Sequence, residues 1–129
     1  MATDTVTRAR LTSFAPQFLV TDLEGAIAYY RDKLGFAFGE PYGEFYAIGE
    51  RDGLELHLKE APRLPGEREH RRDNEHLDAY AGVEDVAAMY EECRERGASI
   101  VKPLGNRPWG MRDFYVEDPE GHIIAFSGP

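Results

Sequence analysis

The sequence predicts an α+β fold of two paired β-α-β-β-β modules, whose sheets curve around a cleft with the helices on the outside. Three observations carry that expectation. A helical pattern that opens on an aspartate and stops at a glycine occurs twice, from Asp22 to Gly35 and from Asp85 to Gly97. A Phe-Tyr strand precedes a glycine turn twice: Phe45-Tyr46 lies seven residues before Asp52-Gly53, and Phe114-Tyr115 six before Glu120-Gly121. Finally, a lone hairpin such as Phe114 to Phe126 cannot bury its apolar face by itself, so it needs a counterpart. Phe45 to Leu58 supplies one, and the two sheets are expected to pair edge to edge.

The elements follow in order. Residues 1–13 form a polar tail, and 14–20 read as a strand in which Pro16, lacking an amide hydrogen, belongs near the start or at an edge. Thr21 and Glu24 have the spacing of a capping box. Leu23, Ala26, Ile27, Tyr30 and Leu34 then trace one helical face, and Gly35 suits a left-handed cap. Short strands are expected at 36–38 and 45–48, with a turn at Pro41 to Gly43 between them. Asp52-Gly53 turns into Leu54-Glu-Leu-His-Leu58, whose alternation puts the leucines on one face and Glu55 and His57 on the other. Residues 59–75 are rich in proline and charge and read as a loop. In the strand expected from His76 to Ala81, one face carries His76, Asp78 and Tyr80. The second helix buries Val86, Met89, Tyr90 and Cys93, Ser99 to Val101 is a strand, and 103–108 a loop. The closing hairpin joins Phe114–Val116 to Ile123–Phe126 through Asp118-Pro119-Glu120-Gly121. The chain is thus one domain over 1–129: module one about 14–60, a loop at 61–75, and module two about 76–128.

Composition narrows the function. A net charge of −9 disfavours a nucleic-acid partner, which wants a basic stripe, and suits a cationic small molecule. No apolar run approaches a membrane span and the first residues lack a signal-peptide core, so no membrane partner and a cytoplasmic home are expected. The single cysteine, Cys93, reads as core filler. Glu91-Glu92 reads as a solvent-facing pair on the helix exterior. There is no glycine-rich phosphate loop, no Cys-x-x-Cys and no nucleophile elbow.

Two stretches carry a family resemblance. Ala15-Pro-Gln-Phe-Leu-Val-Thr-Asp-Leu-Glu-Gly-Ala-Ile-Ala-Tyr-Tyr-Arg-Asp-Lys-Leu-Gly-Phe36 resembles the opening of the vicinal-oxygen-chelate superfamily, which includes glyoxalase I, extradiol dioxygenases, and fosfomycin- and bleomycin-resistance proteins. Pro108-Trp-Gly-Met-Arg-Asp-Phe-Tyr-Val-Glu-Asp-Pro-Glu-Gly-His122 resembles its bleomycin-resistance branch. The superfamily's enzymes hold a divalent metal with residues from four strands. Those positions fall here at Ala15, Glu55, Asp78 and Ala125, and two alanines leave too few donors for a catalytic site. The resemblance therefore implies no cofactor. A divalent metal belongs only to the alternative, a glyoxalase-like lyase, dioxygenase or thiol transferase with a displaced site at Gln17, Glu55, His57 and Asp78.

The main expectation is a non-catalytic protein that binds an antibiotic-like small molecule, cationic or aromatic, and the resemblance also implies a homodimer whose clefts are completed by the partner. Phe38, Tyr46, Tyr80, Trp109 and Tyr115 are the candidate stacking groups. Trp109 either lines the cleft, as the resemblance implies, or caps the core. Gln17 and His57 would line the cleft, Glu55 and Asp78 would add negative charge, and Arg112 would pair with them or take an anionic group. His70 and His122 are expected at the surface.

Overall fold

The computed structural model describes residues 9–62, 76–108 and 110–129, and within them each half of the chain builds the same unit. Module one runs β1 (Gln17–Val20), α1 (Leu23–Leu34), β2 (Ala37–Phe38), β3 (Tyr46–Arg51) and β4 (Leu54–Glu60). Module two runs β5 (Ala79–Gly82), α2 (Val86–Arg96), β6 (Ser99–Asn106), β7 (Arg112–Glu117) and β8 (Ile123–Gly128). The sheets have matching orders, β1-β4-β3-β2 and β5-β8-β7-β6. In each, the first strand lies parallel to the last and the remaining pairs are antiparallel.

Local chemistry explains most boundaries. Asp22 and Asp85 cap the two helices, accepting the amides of Gly25 and Ala88 at 3.1 and 3.0 Å. The expected Thr21–Glu24 capping box does not form, because the Thr21 hydroxyl is drawn to the Glu120 carboxylate of the other module at 2.9 Å. Gly35 and Gly97 close the helices in the left-handed region, at φ 76° and 77°. Asp52 and Gly53 both have positive φ, the mirror-image turn that matches strand twist in a two-residue hairpin. β6 continues to Asn106, through the stretch expected as a loop. Register shifts on either side of Lys102 let the strand carry Pro103 past β7 without a ladder bond.

Each helix packs on one face of its own sheet and the two helices touch, which leaves the opposite face of each sheet to strands alone. Among the described residues no ladder joins the sheets, so edge-to-edge pairing is not how the modules meet within one chain. They meet through a shared core on the helix-covered side: Phe18, Val20, Tyr30 and Leu58 pack in one cluster with Val86, Phe114, Val116 and Phe126.

Polar bonds reinforce that junction. Fully buried Tyr30 donates its hydroxyl to Asp118 at 2.7 Å, and Asp118 also accepts the amides of Glu120 and His122. His122 bonds the same carboxylate through Nδ1 at 2.8 Å and stacks on Phe18, with centroids 4.6 Å apart. It is therefore an inter-module contact, not the surface residue its turn position suggested. Tyr29 donates to the Glu117 carbonyl at 2.9 Å and accepts the Ser99 amide at 3.0 Å. Glu92, expected to face solvent, instead takes Arg51 at 2.9 Å on each carboxylate oxygen, while Arg51 also bonds the Leu34 carbonyl at the end of α1.

Candidate functional site

The strand-only face of module one assembles its polar groups by alternation. Leu56 and Leu58 enter the core, so Glu55 and His57 turn outward; Phe18 and Val20 do the same for Gln17 and Leu19, and Ala47 for Tyr46 and Ile48. Register then places Gln17 beside His57, His57 beside Ile48, and Glu55 beside Glu50. Four side chains join in one hydrogen-bonded chain. Gln17 Nε2 lies 3.0 Å from the Tyr46 oxygen, Tyr46 is 2.6 Å from His57 Nδ1, and His57 Nε2 is 3.0 Å from Glu55 Oε1. A carboxylate only accepts, so Nε2 carries the hydrogen toward Glu55. In the neutral imidazole, Nδ1 then accepts from the Tyr46 hydroxyl, whose oxygen accepts from Gln17. The His57 and Glu55 side chains are 24% and 45% exposed, so the chain sits at the surface with its Glu55 end in solvent reach.

On the equivalent face of module two, one cross-strand row reads Tyr80–Ala125–Tyr115–Lys102 and another Gly82–Ser127–Asp113–Gly105. Tyr80 is 57% exposed, but Tyr115 is only 8% exposed beneath Lys102, whose ammonium lies 4.9 Å from the ring centroid. Arg107 reaches over from the end of β6 to pair with buried Asp113 and also bonds the Asp113 and Pro103 carbonyls. Asp113 Oδ2 and Ser127 Oγ, neighbours across β7 and β8, have no hydrogen-bond partner among the described residues.

Of the residues expected at a site, Gln17, Tyr46, Glu55 and His57 thus lie together, and Tyr80 and Tyr115 share a row on the other sheet. Phe38 lies elsewhere, its ring against Gly49 on the helix-covered side, where a Cβ on that glycine would come within 2.5 Å. Arg112 alternates with Asp113, so it shares the Phe114 face of β7, away from Tyr115. Asp78 accepts the Ile123 amide at 2.8 Å and extends the β5–β8 pairing. Trp109 and His70 lie outside the described residues. Burial pushes the Cys93 thiol up to about 11, as suits a core side chain.

The residues do not fit the metal site that the resemblance would place here. Gln17 and Tyr80 each stand five residues before a helix-capping aspartate, and they pair with His57 and Ala125. His57, not Glu55, is therefore the counterpart of Ala125. Both of its ring nitrogens are engaged, and among the described residues no three His, Cys, Asp or Glu side chains are arranged to hold a metal.

Sequence reasoning missed Arg107, Asp113 and Asp118. Asp118 alone left a signal: an aspartate opening an x-Pro-x-Gly turn commonly takes the amides two and four residues on. The Arg107–Asp113 pair crosses the face only because β6 is longer than expected.

A family model described as the glyoxalase/bleomycin resistance protein/dioxygenase superfamily matches residues 10–126. The bleomycin resistance protein of Geobacillus stearothermophilus is 29% identical over 126 residues, covering 86% of this chain and 92% of that one. The crystal structure of UcmS2 is similar with a TM-score of 0.71 at 25% identity, over 94% of this chain and 98% of that chain. A bleomycin-binding protein of Streptomyces verticillus, crystallised with copper(II)-bleomycin, shares the fold with a TM-score of 0.72 at 22% identity, over 95% and 99% of the two chains. No helix among the described residues is long and apolar enough to cross a membrane.

Proposed function

Since the chain belongs to the glyoxalase/bleomycin resistance protein/dioxygenase superfamily, we propose that it is a non-catalytic small-molecule binding protein of the bleomycin-resistance type. The observation that carries this reading is the Gln17–Tyr46–His57–Glu55 chain on the open face of module one. It fixes four side chains in one geometry, with both ring nitrogens of His57 engaged within it, and a preorganised surface loses less side-chain entropy when a ligand arrives. The exposed Leu19 and half-buried Ile48 flank it and suit an apolar or aromatic body.

The ligand is antibiotic-like, aromatic and cationic, and it is held between this face and a second copy of the chain in a homodimer. No metal resides in the protein. Bleomycin resistance proteins among the relatives make metal-free bleomycin the first ligand to try.

Titration calorimetry of the full chain should give saturable binding at micromolar ligand or tighter. Elemental analysis of protein purified without chelators should show no stoichiometric Zn, Ni, Mn or Fe. Absence of heat at those concentrations rejects a bleomycin-type ligand, and one equivalent of metal rejects the non-catalytic reading. Light scattering should give twice the 14.6 kDa chain mass; a monomer rejects the shared cleft.

A further inference from the structure

This inference rests on the reading that the open face of module one binds a small molecule, and it identifies the group that face receives. We propose that Glu55, at the solvent end of the hydrogen-bonded chain, holds a planar, forked N–H cation, an amidinium or guanidinium.

The argument is an inventory of what the hydrogen-bonded chain leaves unspent. His57 uses both ring nitrogens inside the chain, and Tyr46 uses its only hydrogen. Because Tyr46 must accept from Gln17, the amide nitrogen of Gln17 faces inward and its oxygen is turned away. Beyond the chain there remain Glu55 Oε2, the second lone pair of Oε1, the Gln17 oxygen and a single Gln17 N–H. A bound group must therefore mainly donate. One that only accepts would desolvate the carboxylate and return no bond to it.

The fork follows from the acceptor. Two carboxylate oxygens in one plane match two parallel N–H groups of an amidinium or guanidinium better than they match an ammonium. Charge agrees: Glu50 stands beside Glu55 in register, and Lys59, four residues further along the same face, offsets one of the two carboxylates. Leu19, 51% exposed, and Ile48 give the flat body of such a molecule an apolar rest.

The test titrates isotopically labelled full-length protein with benzamidine, its neutral near-isostere benzamide, and benzoate, following backbone amides from Leu54 to Leu58 and the Gln17 side-chain amide. Benzamidine should shift these signals saturably and bind roughly 10-fold more tightly than benzamide, the margin of one charge-assisted hydrogen bond. Benzoate should leave them unmoved. Glu55→Gln should weaken benzamidine by about the same 10-fold factor while benzamide stays within twofold. The exposed position of Glu55 lets the variant fold, which its unshifted core amides check.

Equal affinity for benzamidine and benzamide, or an unchanged benzamidine affinity in Glu55→Gln, overturns the proposal. Metal-free bleomycin added to the same sample separates the two readings. If it moves the module-one face while the amidine discriminates nothing, the inference fails and the binding function stands. If neither ligand moves that face, both fail.

Discussion

The strand-only face of module one is open to solvent at Gln17, Leu19, Glu50, Glu55 and Lys59, whereas that of module two is closed over Asp113, Tyr115, Ala125 and Ser127. The two faces have the same strand order, and their registers match except at the edge pair, where β6 shifts against β7 and β2 does not shift against β3. Ala47 pairs with Leu58 as Phe114 pairs with Phe126, so Tyr46 and Asp113 occupy one equivalent place. Tyr46 there joins a surface chain with His57, and Asp113 lies buried under Arg107. The difference traces to the edge strand. β2 has two residues and cannot reach across its sheet, while β6 has eight and brings Lys102 and Arg107 over β7. One duplicated topology has thus produced a face that can receive a ligand and a face that packs on itself, and the length of a single strand separates them.

Removing the closure is the strongest way to break that contrast. Arg107→Ala leaves the buried Asp113 carboxylate without its cation and should cost about 3 kcal/mol in urea unfolding. Lys102→Ala, which uncovers the neighbouring ring, should make Tyr115 reactive to a tyrosine-modifying reagent. A loss below about 1 kcal/mol would mean that Arg107 contributes no more than a surface ion pair.

The two hairpin turns sharpen the same contrast. Asp52-Gly53 only reverses the chain, but the Asp118 turn carries the carboxylate that receives Tyr30 from the other module. Tyr30→Phe should cost about 1 kcal/mol near neutral pH. Its hydroxyl is held well above the ordinary tyrosine range, first by burial and then by the Asp118 charge. A raised folded value means that the stabilisation is complete below the unfolded tyrosine value of about 10 and is lost as pH climbs toward the folded one. Wild-type stability should therefore fall from about pH 10 upward, and more steeply than that of the Phe variant. Parallel declines for the two proteins would contradict the assignment.

Much of this was legible in the residues. The helices were marked by glycine stops and the hairpins by glycine turns, because those positions need backbone conformations that few residues supply. The alternation from Leu54 to Leu58 placed Glu55 and His57 on one face before any contact was known. The joining of Gln17 to them depends on the parallel register of β1 on β4, with Gln17 and His57 40 residues apart in sequence, and that of Tyr46 on the antiparallel register of β3 on β4. The helix-capping role of Asp22 was assigned to its neighbour, since Thr21 and Asp22 are both good caps and only the position of Glu120 decides between them. Phe38 and Arg112 were placed by residue type, but alternation along a strand settles which face a side chain takes.

The most direct measurement is a map of backbone amide shifts at saturating metal-free bleomycin, comparing the two modules in the same spectrum. The largest changes should fall on Gln17 to Leu19, Tyr46 to Ile48 and Glu55 to Lys59. The amides of Asp113, Tyr115, Ala125 and Ser127 should move least. Changes concentrated on β7 and β8, with the module-one strands unmoved, would contradict the assignment of the open face as the binding face.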